Sequence, residues 1–395
     1  MIDQAALIAD VQALVRCRSV SGEEAVAVEA FCEMLKRLGY DEVTVDPTGN
    51  VVALIRGGRP GERLLFEGHI DTVDAGDRSL WTRDPFGGHL EEGRIYGRGT
   101  SDMKGALVAM AHGLASLIPE KERLSGEIAL TAVVCEEIFE GVAFGRVLDR
   151  LEPDLVVIGE ATELELAVGQ RGRAEIAIET FGKSAHSSNP EAGVNAVDGF
   201  VALFAELRGL ELPSHPRVGQ AILELVDVVS EPYPGESVLP ARCRSTWDRR
   251  LIPGETAREV LAPVEEAIAR VRERDPRVRA RASIVKAEAR THTGAELSAE
   301  RFFPGWIAPE GAEYVARAQR ALASTGLPAR VRSFAFCTDG TESAGRRGLP
   351  TIGFGPSRED QAHVADEYVE VEQLLGAAAG YAALARAFLG ERADR

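Results

Sequence analysis

Apolar and polar positions along this chain fall into strand-like and helix-like stretches that follow one another closely. Helical spacing runs over residues 3–16 and 23–38, the second stretch opened by Ser21 with Glu24 three residues on, a capping-box pattern. Strand-like apolar runs follow at 51–55, 63–67, 127–135 and 155–158, with a helical stretch at 104–117 between the second and third. This alternation is the order of an α/β layer with helices on both faces of the sheet. From residue 174 the order changes to strand 174–181, helix 192–207, strand 222–229, strand 241–250, helix 256–274 and strand 278–285. A βαββαβ order predicts a ferredoxin-like α+β unit. A helix at 309–325 and a strand at 351–354 complete the pattern, with no internal repeat or low-complexity segment. The expected architecture is α/β: a discontinuous larger domain, residues 1–173 and 287–395, with residues 174–286 inserted as a smaller domain.

Length agrees with two domains, since 395 residues exceed one ordinary core. Hydrophobic residues at 45% and charged residues at 27% fit a globular chain with a large interior, and only the last few residues read as disordered. A formal net charge of -17 without a long basic run argues against nucleic acid or an anionic membrane as partner. The start lacks the basic and apolar regions of a signal peptide, and no apolar run approaches the roughly 20 residues that span a bilayer, so a cytoplasmic location is expected. Five scattered cysteines without a CxxC fit reduced thiols, with Cys135 and Cys337 as small core residues.

The chemistry is suggested by what stands at the ends of the apolar runs. His69 and Asp71 close the run 64–68; Asp102 follows a glycine-rich turn and leads into an apolar helix; Glu136 and Glu137 close 131–135; Glu160 follows 156–159; and His363 lies beyond 351–354. Strand ends in open α/β sheets are where ligands bind. Each residue has a plainer reading when taken singly: His69 as a turn histidine, Asp102 as a helix N-cap, the glutamate pair as solvated loop residues. Together they are two imidazoles and several carboxylates, the donor set of two divalent metals sharing a bridge, with Zn²⁺ favoured and Co²⁺ or Mn²⁺ competing. A carboxylate can bridge two cations, which suits Asp102. Asp71, two positions from His69, could hold its second ring nitrogen. Adjacent acids point in different directions, so Glu137 can face a metal while Glu136 acts as general base.

In order, the segments GHIDTV, GRGTSDMKG, CEE, GEAT, GKSAHSSNPEAGVNA and QAH resemble the motifs of the M20 family of metallopeptidases and deacylases, over essentially the whole chain. The resemblance implies a mixed-sheet α/β/α zinc-hydrolase catalytic domain, and makes the inserted domain a lid and dimerisation domain. It implies two metal ions per subunit, one held by His69 and Glu160, the other by Glu137 and His363, with Asp102 bridging and a cis peptide after Asp102. It further implies that Asp71 orients His69 and that Glu136 is the base. His186 would reach into the partner's active site of a homodimer. Arg249, with Arg250 as its neighbour, would hold a substrate carboxylate through its planar fork. Gly340 and Thr341 would line the substrate pocket. Ser237 stands where many relatives carry an asparagine that touches substrate. The expected function is metal-dependent hydrolysis of an amide in a small N-acyl amino acid or dipeptide-like substrate. The alternatives are a dipeptidase or carboxypeptidase, and a non-catalytic metal- or small-ligand-binding protein on the same scaffold.

Overall fold

The computed structural model describes residues 2–390, and the expected disorder of the last few residues lies outside them apart from Gly390. The chain forms two compact units: residues 1–170, 288–297 and 307–395 make the first, residues 171–287 and 298–306 the second. The short return of 298–306 to the second unit differs from the expected boundary, and strand Phe302–Phe303 explains it by pairing with the strand Gly172–Phe181.

In the first unit a mixed sheet has three parallel strands at its centre. Arg59–His69 lies between Ser125–Val133 and Leu155–Ile158, parallel to both, and Thr351–Gly353 continues the parallel set. Val51–Arg56 and Glu42–Val45 extend one side antiparallel. The other side carries Leu166–Gln170 and Val331–Phe334. The central strands are buried on both faces, which is why they read as continuous apolar runs. The helix Lys104–Ala115 is buried along nearly its whole length, as an all-round apolar helix must be. It packs against the helix Val371–Leu389 so closely that a Cβ on Gly113 would stand 2.3 Å from the carbonyl oxygen of Ala378. Phe66 meets Tyr381 of that helix edge to face, whereas Glu67 and His69, next along the pleat, point to the opposite face. That alternation gives one strand both a core face and a chemical face. Among the described residues no helix is long and apolar enough to cross a membrane.

Most expected elements are present within a few residues. The capping box at Ser21 is not. The helix Ala25–Leu38 has no side-chain cap; Ser21 instead donates to Asp71, and Glu24 accepts the N–H of Gly22. These polar groups are drawn to the interior rather than to the helix end. Two helices were not expected: Val142–Leu151, although its apolar positions 143, 144, 147, 148 and 151 have helical spacing, and the long C-terminal helix, whose alanines and glycines leave no marked polar stripe.

The second unit is the expected βαββαβ. Its antiparallel sheet runs in the order Ile222–Glu231, Arg242–Leu251, Gly172–Phe181, Arg279–Ile284, which is the ferredoxin-like arrangement. The helix Ala257–Arg274 opens with a complete capping box between Thr256 and Glu259. Its apolar stripe, with that of Ala196–Arg208, covers one sheet face around fully buried Trp247. Trp247→Ala is expected to destabilise this unit by about 3–5 kcal/mol, read from denaturant unfolding; a loss under about 1 kcal/mol would contradict this packing.

Candidate metal centre

Three neighbouring parallel strands end side by side, and each delivers an acid or an imidazole. His69 is the last residue of its strand, Glu136 and Glu137 follow Val133 by a short corner, and Glu160 follows Ile158. Asp102 arrives from the turn before the helix Lys104–Ala115, and His363 from the loop after Thr351–Gly353. Gly99 in the Asp102 turn has φ +84°, and a Cβ there would stand 2.8 Å from Thr72 Cγ2, so both conformation and space require glycine.

The side chains converge. Asp102 stands between the two imidazoles, its Oδ1 2.9 Å from His69 Nε2 and its Oδ2 3.2 Å from His363 Nε2. His69 Nε2 also lies 3.5 Å from Glu160 and 4.0 Å from Glu136, and His363 Nε2 lies 2.9 Å from Glu137. Two overlapping sets, His69 with Glu136 and Glu160, and His69 with Asp102 and Glu137, each gather their ligand atoms within 4.8 Å. The alternative of Asp102 as a helix cap is not what is observed: Met103 occupies the cap position without a side-chain cap bond, and Asp102 faces the imidazoles. The peptide between Asp102 and Met103 is cis.

Asp71 works differently from the direct bond anticipated. His69 Nδ1 lies 3.0 Å from the backbone carbonyl of Asp71, and the Asp71 carboxylate is 3.7 Å away. That carboxylate instead accepts the N–H groups of Glu136 and Glu137, both at 3.1 Å, and the Ser21 hydroxyl at 2.7 Å. It therefore fixes the turn that carries the glutamate pair.

Two residues important to the site went unnoticed in the sequence. Glu367 is fully buried, and its carboxylate takes the N–H groups of Gly99, Ser101 and Asp102 together with the Arg98 guanidinium, so it shapes the turn that aims Asp102. Its signal was only an acid in the His363 loop. Asp339, next to the expected Gly340 and Thr341, is buried and accepts the N–H of Gly141. Gly340 and Thr341 are themselves buried, Thr341 packing where Gly141 has no side chain.

In the second unit His186 is exposed, its Nδ1 2.7 Å from Ser188 Oγ. Arg249, expected to hold a substrate carboxylate, is 3% exposed here, and its guanidinium is bound to Glu255 and to the carbonyl of Arg250. One nitrogen of the fork is taken by a carboxylate of the protein itself and the other by a backbone carbonyl.

The electrostatics tests whether these donors fit cations. Burial pushes Glu136 well above the usual carboxylate range, and burial with the neighbouring Asp102 charge pushes Glu137 up to about 7. Burial also raises Glu160. Burial opposes charge on Asp102 as well, but hydrogen bonds from His363 and His69 outweigh it and hold that carboxyl well below its ordinary value. The bonds from His363 to Asp102 and Glu137 raise its imidazole to about 10. So many buried acids repel one another unless positive charge lies among them, and nitrogen and oxygen donors at this spacing fit divalent cations.

Comparison with known proteins agrees with the site. Residues 65–387 match the model of Peptidase family M20/M25/M40. The chain is 31% identical over 383 residues to the uncharacterized protein YgeY of Escherichia coli (strain K12), covering 95% of this chain and 93% of that one. It is 30% identical over 391 residues to a succinyl-diaminopimelate desuccinylase of Cereibacter sphaeroides (strain ATCC 17029 / ATH 2.4.9), covering 94% and 95%. The fold is shared with aminopeptidase PepT from Bacillus cereus ATCC 10987, at TM-score 0.76 and 20% identity, covering 98% and 99%. Sequence match and constellation together make this chain a member of the M20/M25/M40 peptidase family, and thus a metallo-hydrolase.

Proposed function

We propose that this chain hydrolyses the amide bond of a small N-acyl amino acid or dipeptide-like substrate, with Glu136 as general base. The observation that supports this most is the position of Glu136: its carboxylate lies in one group with His69 and Glu160, while Asp71 holds its backbone. His69 and Glu160 would hold one divalent cation, Glu137 and His363 a second, with Asp102 between them; Zn²⁺ suits these donors, with Co²⁺ or Mn²⁺ as competitors. Two such cations, when bound, supply the Lewis acidity that polarises the amide carbonyl and lets a water give up a proton near neutral pH.

The protein's own groups do the rest. Glu136 takes the water's proton and then gives it to the departing amine nitrogen. Burial raises its proton affinity well above that of an ordinary carboxylate, which favours taking up the water's proton and holding it for the amine. His186, donated by the partner of a homodimer, would share in stabilising the oxyanion. The desuccinylase-like relative favours cleavage of an acyl group from an amino acid's amine, and a deacylase is therefore the preferred reading over a dipeptidase. A panel of N-acetyl, N-succinyl and dipeptide substrates, assayed with added Zn²⁺, Co²⁺ or Mn²⁺, separates the two: turnover of N-acyl amino acids is expected, and turnover of dipeptides alone would overturn the preference.

Glu136→Gln keeps the side chain's shape and removes the base. It is expected to keep its metal content and lose kcat by about 10²–10⁴-fold; elemental analysis with steady-state kinetics checks both, and near-normal turnover would remove Glu136 from this role. Metal uptake provides a second test through its protons. Because His363 is raised to about 10 and Glu137 to about 7, both carry protons near neutrality that binding must displace. Calorimetry in buffers of different ionisation enthalpy should show proton release, with affinity falling as pH is lowered from about 8 to about 6. A pH-independent affinity without proton release would contradict this ligand set.

A further inference from the structure

Four consecutive backbone N–H groups at the corner bearing Glu136 are each bound by a buried side-chain oxygen. Val134 donates to Asn50 Oδ1 at 3.1 Å, Cys135 to Glu24 Oε1 at 3.2 Å, and Glu136 and Glu137 to the two oxygens of Asp71 at 3.1 Å. The strand ends at Val133, and two residues on Cys135 turns into the left-handed region, with φ 60°. A non-glycine residue there is unfavourable by itself and persists only where its surroundings impose it. Glu24 is the acceptor at that residue.

Glu24 is a costly choice for a mere spacer. It is fully buried, and it also takes the N–H of Gly22 at 2.8 Å. Its second oxygen, Oε2, faces Nδ1 of His292 at 3.3 Å. His292 sits at the tip of the hairpin formed by Lys286–Arg290 and Glu296–Glu300, and space has been left for it: a Cβ on Gly49 would stand 2.4 Å from its Cε1. Thr293 of the same tip donates to the carbonyl of Pro47 at 2.8 Å. In the adjoining turn Asp46 accepts the N–H groups of Thr48, Gly49 and Asn50, and its other oxygen holds the Asn50 amide. The hairpin tip thus rests on the turn that aims Asn50 and on the acid that holds Cys135.

We propose that Glu24, backed by His292, is a positioning residue for the general base: it imposes the turn at Cys135 that points the Glu136 carboxylate into the metal centre. Neither residue touches substrate or metal in this account. Their effect passes through the Cys135 peptide, where a small rotation moves the Glu136 carboxyl group out of reach of the water's proton; misplacement by about 1 Å can lower a rate about 10²-fold. The inference rests on the proposed role of Glu136 and extends it.

The test compares Glu24→Ala and Glu24→Gln, with Glu136→Gln as control, in metal-loaded enzyme. Gln offers an amide oxygen to the same two N–H groups; Ala offers nothing. Glu24→Ala is expected to lose kcat by about tenfold or more, with KM and metal content within about twofold, and with faster amide hydrogen exchange at 135–137 in the metal-free protein. Glu24→Gln is expected to recover most of the kcat and the protection. If Glu24→Ala does not fold, His292→Asn is read instead, with a smaller fall in kcat and the same rise in exchange. A folded Glu24→Ala, or His292→Asn in its place, with wild-type kcat and wild-type exchange overturns the inference, as does loss of metal in step with kcat. Should Glu136→Gln keep full turnover, the general-base reading fails on its own, and the exchange data still decide whether Glu24 holds the corner.

Discussion

Packing several carboxylates into one buried space is the constraint to which this molecule answers. Asp102, Glu136, Glu137 and Glu160 lie around His69 and His363, most of them almost without solvent. Each added negative charge raises the free energy of the others, so the cluster is tolerable only with protons or cations among them. Two divalent cations would meet that requirement. The same repulsion then becomes useful: groups that resist ionisation are suited to exchanging protons near neutral pH.

The fold sustains the cluster by making its backbone rigid. Parallel strands bring His69, the glutamate corner and Glu160 to one end of the sheet without any long loop. What the strands leave loose is held by buried acids that bind backbone N–H groups: Glu367 on the Asp102 turn, Asp71 and Glu24 on the Glu136 corner. These acids stand outside the proposed ligand set and set the direction of its members. Such support is what separates a functional constellation from one that is present but imprecise.

The parts of this arrangement that were legible in the sequence share one property: they change the local pattern. Apolar runs ending in His69, Glu136 and Glu160 break the pattern visibly, as does the glycine-rich turn before Asp102, and the βαββαβ order follows from periodicity alone. Residues acting at long sequence separation were invisible. Glu367 reaches back 265 positions to the N–H of Asp102, and nothing near either residue reports it. Ser21 and Glu24 illustrate the opposite error, since their spacing imitates a helix cap while their side chains are recruited to Asp71 and Cys135. The pairing of Arg249 with Glu255 was likewise not legible from its motif. A motif states which groups are available, and only packing states which partners they take.

The chain belongs to the M20/M25/M40 family and its acids and imidazoles converge; the proposed function then comes down to one physical statement, that two cations would sit on either side of Asp102. Crystals of the metal-loaded protein, with diffraction recorded across the metal absorption edge, address it directly. The account predicts two anomalous peaks per chain, about 3.5–4 Å apart, one against His69 and Glu160 and the other against Glu137 and His363. A single peak, or a pair away from Asp102, would contradict it.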